Sequence, residues 1–396
     1  MSAPIVIAAG GTGGHFFPAE ALATELAARG HTLVLMTDTR AGRREHGVFA
    51  ACEQHVLPGS GVAGGGAVRK LRGILALGRG ALRARSILRR VRPAVVVGFG
   101  GYPSVPPLLG ARLLGRKRPQ IVLHEGNAVL GQANALLARF ADAIATSFAR
   151  VAKVPPGLET ILTGMPVRAE IAAAARAPFP DATGDLRVLV WGGSLGARVF
   201  ADVVPQTLAA LPDALRARLR VTQQARKEDL ERVRAAYAQA GIEAEVAPFF
   251  DRVAERLRDA HLVIGRAGGS SVAELSMVGR ASIMVPLPIA ASDEQSANAD
   301  ALVRAGGGWM LRQSGFTPEA LGELLRELLA QPAALEVASR AAGGLGRPDA
   351  ASALADLVER RIALACGTTG PDGLRSQPER SIPPRAQHQA SGTMRA

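Results

Sequence analysis

The chain has 396 residues, 47 Lys and Arg against 34 Asp and Glu, a formal net charge of +13, and 48% hydrophobic residues with only 4% aromatic. This length gives room for two domains, each with its own core, and a composition rich in Ala, Val and Leu fits a soluble α/β protein. Two cysteines, Cys52 and Cys366, exclude a disulfide framework and match no metal-ligand spacing, so a reducing cytoplasm is expected and neither metal nor cofactor is.

The first strand is expected at 5–9, ending in Gly10-Gly11-Thr12-Gly13-Gly14-His15. A helix should start at Pro18 and stop at Gly30, with a second strand at 32–36. No charged leader precedes the first strand, so no targeting segment is expected. The charge is unevenly placed: residues 1–150 hold 19 Lys and Arg against 7 Asp and Glu. Residues 69–92 alone hold nine basic residues and no acidic one, interleaved with Ile74, Leu75, Leu77, Leu82, Ile87 and Leu88. Such a segment, including Arg79 and Arg83, reads as a contact for an anionic membrane surface or as a solvated helix face. No binding motif or stacking aromatic accompanies the charge, so a nucleic-acid partner is not expected. The uncharged stretch 93–111 is long enough to span a membrane, but its four prolines and four glycines read as strand, turn and helix.

Further strands are expected at 94–97, 121–123, 143–146 and 160–162, then at 187–190, 220–222, 244–247, 262–264 and 282–285. Val-, Ile- and Leu-rich runs between helices mean parallel strands buried on both faces. The domain junction is expected in 164–185, where Pro and Gly interrupt the rhythm, giving domains 1–164 and 165–349. A final helix near 350–366 is expected to pack back on the first domain. Residues 367–396, rich in Gly, Pro, Ser, Gln and Arg, read as a disordered tail.

Strand ends carry the chemistry. A glycine turn after a buried strand leaves free N–H groups and a positive helix end for a phosphate. This occurs at Gly10 and again at Trp191-Gly192-Gly193-Ser194-Leu195-Gly196-Ala197-Arg198. His15 is suited to take a proton or to cap structure. Gly98-Phe99-Gly100-Gly101-Tyr102 and His124-Glu125-Gly126-Asn127 fall on the same sheet edge, where Glu125 and Asn127 either hold an acceptor or cap the next helix. In the second half, Ser270 and Ser271, after Gly268-Gly269, should cap a helix. Glu274 in its first turns either accepts from ribose hydroxyls or completes a capping box. Gln295 and Asn298 offer amides suited to sugar hydroxyls.

Taken together these motifs, with Pro166-Val167-Arg168, resemble the MurG family, peptidoglycan N-acetylglucosaminyltransferases of two-domain GT-B fold. The resemblance covers residues 1 to about 365. It implies two Rossmann-like domains facing a cleft. The implied reaction moves GlcNAc from UDP-GlcNAc to an undecaprenyl-diphospho-muramyl-pentapeptide at the cytoplasmic face of the inner membrane. It implies that Arg168 and Ser194 approach the diphosphate, the Phe250 backbone the uracil, Glu274 the ribose, and Gln295 with Asn298 the GlcNAc. Thr12, Gly13, Gly14 and Asn127 would line the first-domain side, with His15 the base and Glu125 the alternative. Tyr102 and the 69–92 segment would face acceptor and membrane. The chain departs from the family where Gln is usual, at Gly126 and Leu195. It departs again at Met165, where Asn is usual, and at Glu294, where His or Gln is usual. Two other readings share the fold: transfer to another lipid or small-molecule acceptor, and non-catalytic nucleotide-sugar binding.

Overall fold

The computed structural model describes residues 3–10, 13–58, 67–192, 197–288 and 293–365. Thr12, Ser194, Leu195 and the expected tail 367–396 lie outside the described residues.

Two parallel sheets form the frame. The first contains β1 (Ile5–Ala8), β2 (Leu33–Asp38), β3 (Glu53–Leu57), β4 (Val95–Gly98), β5 (Gln120–Glu125), β6 (Ala143–Thr146) and β7 (Thr160–Leu162), in the order 3-2-1-4-5-6-7. The second contains β8 (Leu186–Trp191), β9 (Leu219–Gln224), β10 (Glu243–Ala247), β11 (Leu262–Gly265), β12 (Ser282–Met284) and β13 (Gly308–Met310), in the order 10-9-8-11-12-13. In each sheet the order reverses beside the first strand, between β1 and β4 and between β8 and β11. That reversal opens a crevice at the carboxyl strand ends, where such sheets bind ligands.

The central strands are buried on both faces: Ile5 and Ile7 turn to one layer, Val6 and Ala8 to the other. The first layer contains the helix Gly13–Ala28 and, from the far end of the chain, the helix Ala350–Ala365. Leu354, Leu357 and Val358 are fully buried there. Arg29 fastens this helix by pairing with Asp356 at 2.6 Å and Glu359 at 2.7 Å. The opposite layer holds the helices Ala67–Val91 and Gly101–Arg112, packed closely enough that a Cβ on Gly110 would lie 2.8 Å from the Ala81 carbonyl.

Three expectations are corrected. The first helix begins at Gly13, so Pro18 lies inside it and forgoes one backbone hydrogen bond, to the carbonyl of Gly14. β3 was not expected because its Glu-Gln-His-Val-Leu run is a half-exposed edge, and β13 because it is only three residues long. Ser270 and Ser271 lie in the first turn of Gly269–Val278, whose cap is Gly268 with no side-chain cap bond.

Candidate functional site

His15 sits one turn into the first helix, against the backbone of the β4 turn. Cβ atoms on Gly100 and Gly101 would each lie 3.5 Å from its ring. Both glycines have positive φ, +79° and +66°, which a side chain would strain. Ser104 pins this turn to β1, donating to the carbonyls of Gly100 (2.8 Å) and Ala8 (3.0 Å). Burial lowers the His15 pKa below its ordinary 6.5, so the ring is neutral and able to accept a proton. Tyr102, half-buried, is the second residue of the helix that follows.

Glu125 ends β5 and is buried. Its carboxylate accepts from the Asn127 backbone (3.0 Å) and side chain (3.1 Å), the Gly131 N–H (2.9 Å) and Asn134 Nδ2 (2.9 Å). Burial raises its pKa, while those four donors favour the charged form. Beside it, burial pushes His124 down to about 4; its Nε2 lies 3.3 Å from the Gly164 carbonyl. Asn134 also donates to the His124 carbonyl at 3.0 Å, tying the strand end to the next helix. No spacing in the sequence marks Asn134, because a polar residue in a short helix resembles any solvated one.

In the second sheet, Arg168 pairs with Glu274 at 3.2 Å and with Glu170 at 3.0 Å. Its guanidinium also lies 5.1 Å from the Phe17 ring centroid, on the first domain's helix, and its buried Nε has no hydrogen-bond partner. Burial raises the Glu274 pKa and Arg168 opposes the rise. Gln224, at the end of β9, accepts from the Gly192 N–H at 3.1 Å and donates to the Pro248 carbonyl at 3.2 Å. The run of polar residues closing β9 was its only signal. Arg266, beyond β11, donates to the Val285 carbonyl (3.0 Å) and Gln313 (2.7 Å). Phe250 is buried at the carboxyl end of the edge strand β10, under the Arg256 guanidinium.

The two halves meet where both sets of motifs converge. Asn298, fully buried, accepts from the Ala128 N–H at 2.7 Å and donates to Asn127 Oδ1 and the Ala267 carbonyl, both at 3.0 Å. A Cβ on Gly269 would collide with the Gly126 carbonyl across the same contact. Gln295 Oε1 accepts from the Leu287 N–H at 2.9 Å. Asn127 with Asn298, and Gly126 with Gly269, thus form the contact between the two halves, and Arg168 reaches Phe17 beside His15. Among the described residues no cluster of three His, Cys, Asp or Glu is placed to hold a metal ion.

Residues 5–146 match the glycosyltransferase family 28 N-terminal domain, and residues 187–358 the C-terminal domain of the same family. The chain belongs to glycosyltransferase family 28. Its similarity is high to the UDP-N-acetylglucosamine–N-acetylmuramyl-(pentapeptide) pyrophosphoryl-undecaprenol N-acetylglucosamine transferase of Gluconobacter oxydans, 61% identical over 91% of this chain and all of that one. The protein of the same description from Granulibacter bethesdensis is 55% identical over 93% of this chain and 96% of its own length. Among solved structures, Acinetobacter baumannii MurG superposes with a TM-score of 0.73 at 29% identity, covering 90% of this chain and 99% of that one. This family 28 chain therefore has the two-domain GT-B architecture its motifs implied.

The basic helix Ala67–Val91 buries Ala81, Ala84, Ile87 and Leu88 and exposes Ile74, Leu75 and Leu82. Arg79 and Arg83 are exposed at helical spacing beside them. Among the described residues no helix is long and apolar enough to cross a membrane.

Proposed function

We propose that this family 28 chain transfers GlcNAc from UDP-GlcNAc to an undecaprenyl-diphospho-muramyl-pentapeptide, with inversion at the anomeric carbon. The observation that carries this reading is His15, kept neutral by burial, on the helix whose Phe17 ring lies 5.1 Å from the guanidinium of Arg168, itself paired with Glu274. His15 takes the proton of the acceptor hydroxyl as that oxygen attacks the anomeric carbon and the bond to UDP breaks. Arg168, whose Nε has no protein partner, and the amino end of the helix Gly269–Val278 stabilise the leaving diphosphate. Glu274 accepts from ribose hydroxyls. Gly13 and Gly14 let the first helix approach the substrates closely, and Ser270 and Ser271 line the opposite wall. Gln295 turns to the GlcNAc, while Asn298, buried with its amide held by Ala128, Asn127 and Ala267, fixes the loop beside it. The Phe250 backbone meets the uracil.

Glu125 acts through others. With four N–H donors on its carboxylate, it shapes the Asn127 loop rather than taking a proton. Tyr102 faces the acceptor. The exposed Ile74, Leu75 and Leu82, with Arg79 and Arg83, rest on an anionic membrane surface at the cytoplasmic face, where a lipid-linked acceptor is presented.

The test is to incubate the protein with labelled UDP-GlcNAc and the lipid-linked muramyl-pentapeptide, beside a His15→Ala variant. UDP release with label in the lipid, lost in the variant, is expected. Donor binding without transfer would overturn the acceptor assignment, and transfer undiminished in the variant would overturn the base.

A further inference from the structure

A cleft of about 540 Å³, lined by Gly13, Phe16 and Phe17 of the first helix, adjoins the site on the first domain, and the reaction as described leaves its outer rim without a role. Phe16 and Phe17 form its apolar wall, and the loop carrying Arg43, Arg44 and His46 forms its rim. The loop is held in place: Gln54 accepts from the Arg44 N–H at 2.8 Å and donates to the Arg44 carbonyl at 2.9 Å. The Arg44 guanidinium lies 3.7 Å from the Phe16 ring centroid, and its Nε is buried without a hydrogen-bond partner. Arg43 is exposed. Glu20 and Glu45 stand in the same wall, yet among the described residues neither forms an ion pair with either arginine. Two cations, one with a buried donor left unmet, are thus arranged for a ligand rather than for the protein's own carboxylates.

The position of the cleft identifies the ligand. Phe16 belongs to the layer of the first sheet that holds Ile5 and Ile7, whereas the basic apolar helix belongs to the opposite layer, with Val6 and Ala8. His15 lies at the carboxyl edge between the two. An acceptor with its reacting hydroxyl at His15 and its lipid diphosphate directed to the basic helix has one branch left, the peptide on the muramyl lactyl group. The cleft, on the layer opposite the basic helix, is open to that branch. The amino end of the peptide is consumed in the amide to the lactyl group, so its free end is a carboxylate.

We propose that this cleft is the subsite for the acceptor's peptide stem, with Arg43 and Arg44 receiving its carboxylates. Glu20 and Glu45 complement an amine on the same stem, so the pocket selects a peptide carrying both charges over a uniformly acidic one. This assignment rests on the acceptor reading given above.

The experiment compares two short-lipid muramyl-pentapeptides, one with free carboxylates and one with every peptide carboxylate converted to a carboxamide. Each is assayed with the wild-type protein and with R43Q/R44Q, and Arg43→Gln alone serves as the milder variant. The wild type should show an acceptor KM about tenfold or more lower for the free carboxylates, since charge-assisted hydrogen bonds are lost in the amide. The double variant should use both acceptors with the same high KM, its donor KM and saturated kcat unchanged. An unchanged KM in the variant, or a rise equal for both acceptors, would overturn the subsite while leaving the transferase reading intact. Failure of the wild type to use either acceptor would overturn the acceptor reading itself.

Discussion

Met165 fills the space that a side chain at Gly126 would need: a Cβ placed on Gly126 would lie 2.5 Å from the Met165 Cε. The contact links two positions far apart in the sequence, so a change at one is expected to be felt at the other. The thioether end can swing aside for a methyl group but not for a long amide. Gly126→Gln should therefore lower kcat/KM about tenfold, because overpacking displaces the loop that carries Asn127. Adding Met165→Asn should restore activity to within about threefold of wild type, a non-additivity that steady-state kinetics on the four proteins would read. Equal losses in the single and double variants would show the two sites to be independent.

Gly269 is a stricter case. Its Cβ would meet the Gly126 carbonyl, a backbone group that cannot rotate away. Gly269→Ala should hold the two domains apart and cut kcat/KM by about a hundredfold or more. Calorimetry should find Tm shifted by only about 2 °C, since the strain exists only in the closed arrangement.

The pH profile distinguishes His15 from Glu125. A base acts in its unprotonated form, and burial holds the His15 pKa below 6.5, so the acid limb of kcat/KM should fall below that pH. His15→Ala should lose about 10²–10⁴ in kcat, the usual span for a positioned base, with little change in donor KM. Glu125→Gln puts an amide against four N–H donors, so the rate should drop while the acid limb stays in place. Loss of that limb in Glu125→Gln would make Glu125 the base.

Asn298 is tied across the domains through Ala128 and Asn127. Asn298→Ala should raise the radius of gyration of the donor-free protein in small-angle scattering and lower transfer about tenfold. An unchanged radius would show that this tie does not hold the domains together.

The frame was legible because strands such as 188–190 are apolar on both faces, a pattern that belongs to buried parallel sheets. β3 escaped because an edge strand with Glu53 and Gln54 lacks that pattern. The glycine turns announced the strand ends that form the cleft. Glu125 was singled out, but the four donors that decide its role come from a loop and a helix that spacing does not bring together. Asn134 carries no local mark, and Gln224 only the polar run it closes, since each holds a residue remote in sequence. The closing of Asn298 onto Asn127 joins residues 171 positions apart and depends on how two whole domains meet.

The helix Ala350–Ala365 covers the strands at the other end of the chain, and this sets an order of manufacture. Leu354, Leu357 and Val358 bury themselves against the layer that includes Ile5, Ile7 and Val95, yet they leave the ribosome after the entire second domain. At about 5–20 residues per second, the intervening stretch takes on the order of 10–40 s to make. Throughout that interval part of the first sheet's apolar face stands without its cover and is open to chaperones or to neighbouring nascent chains. The half of the protein that is synthesised first is completed last.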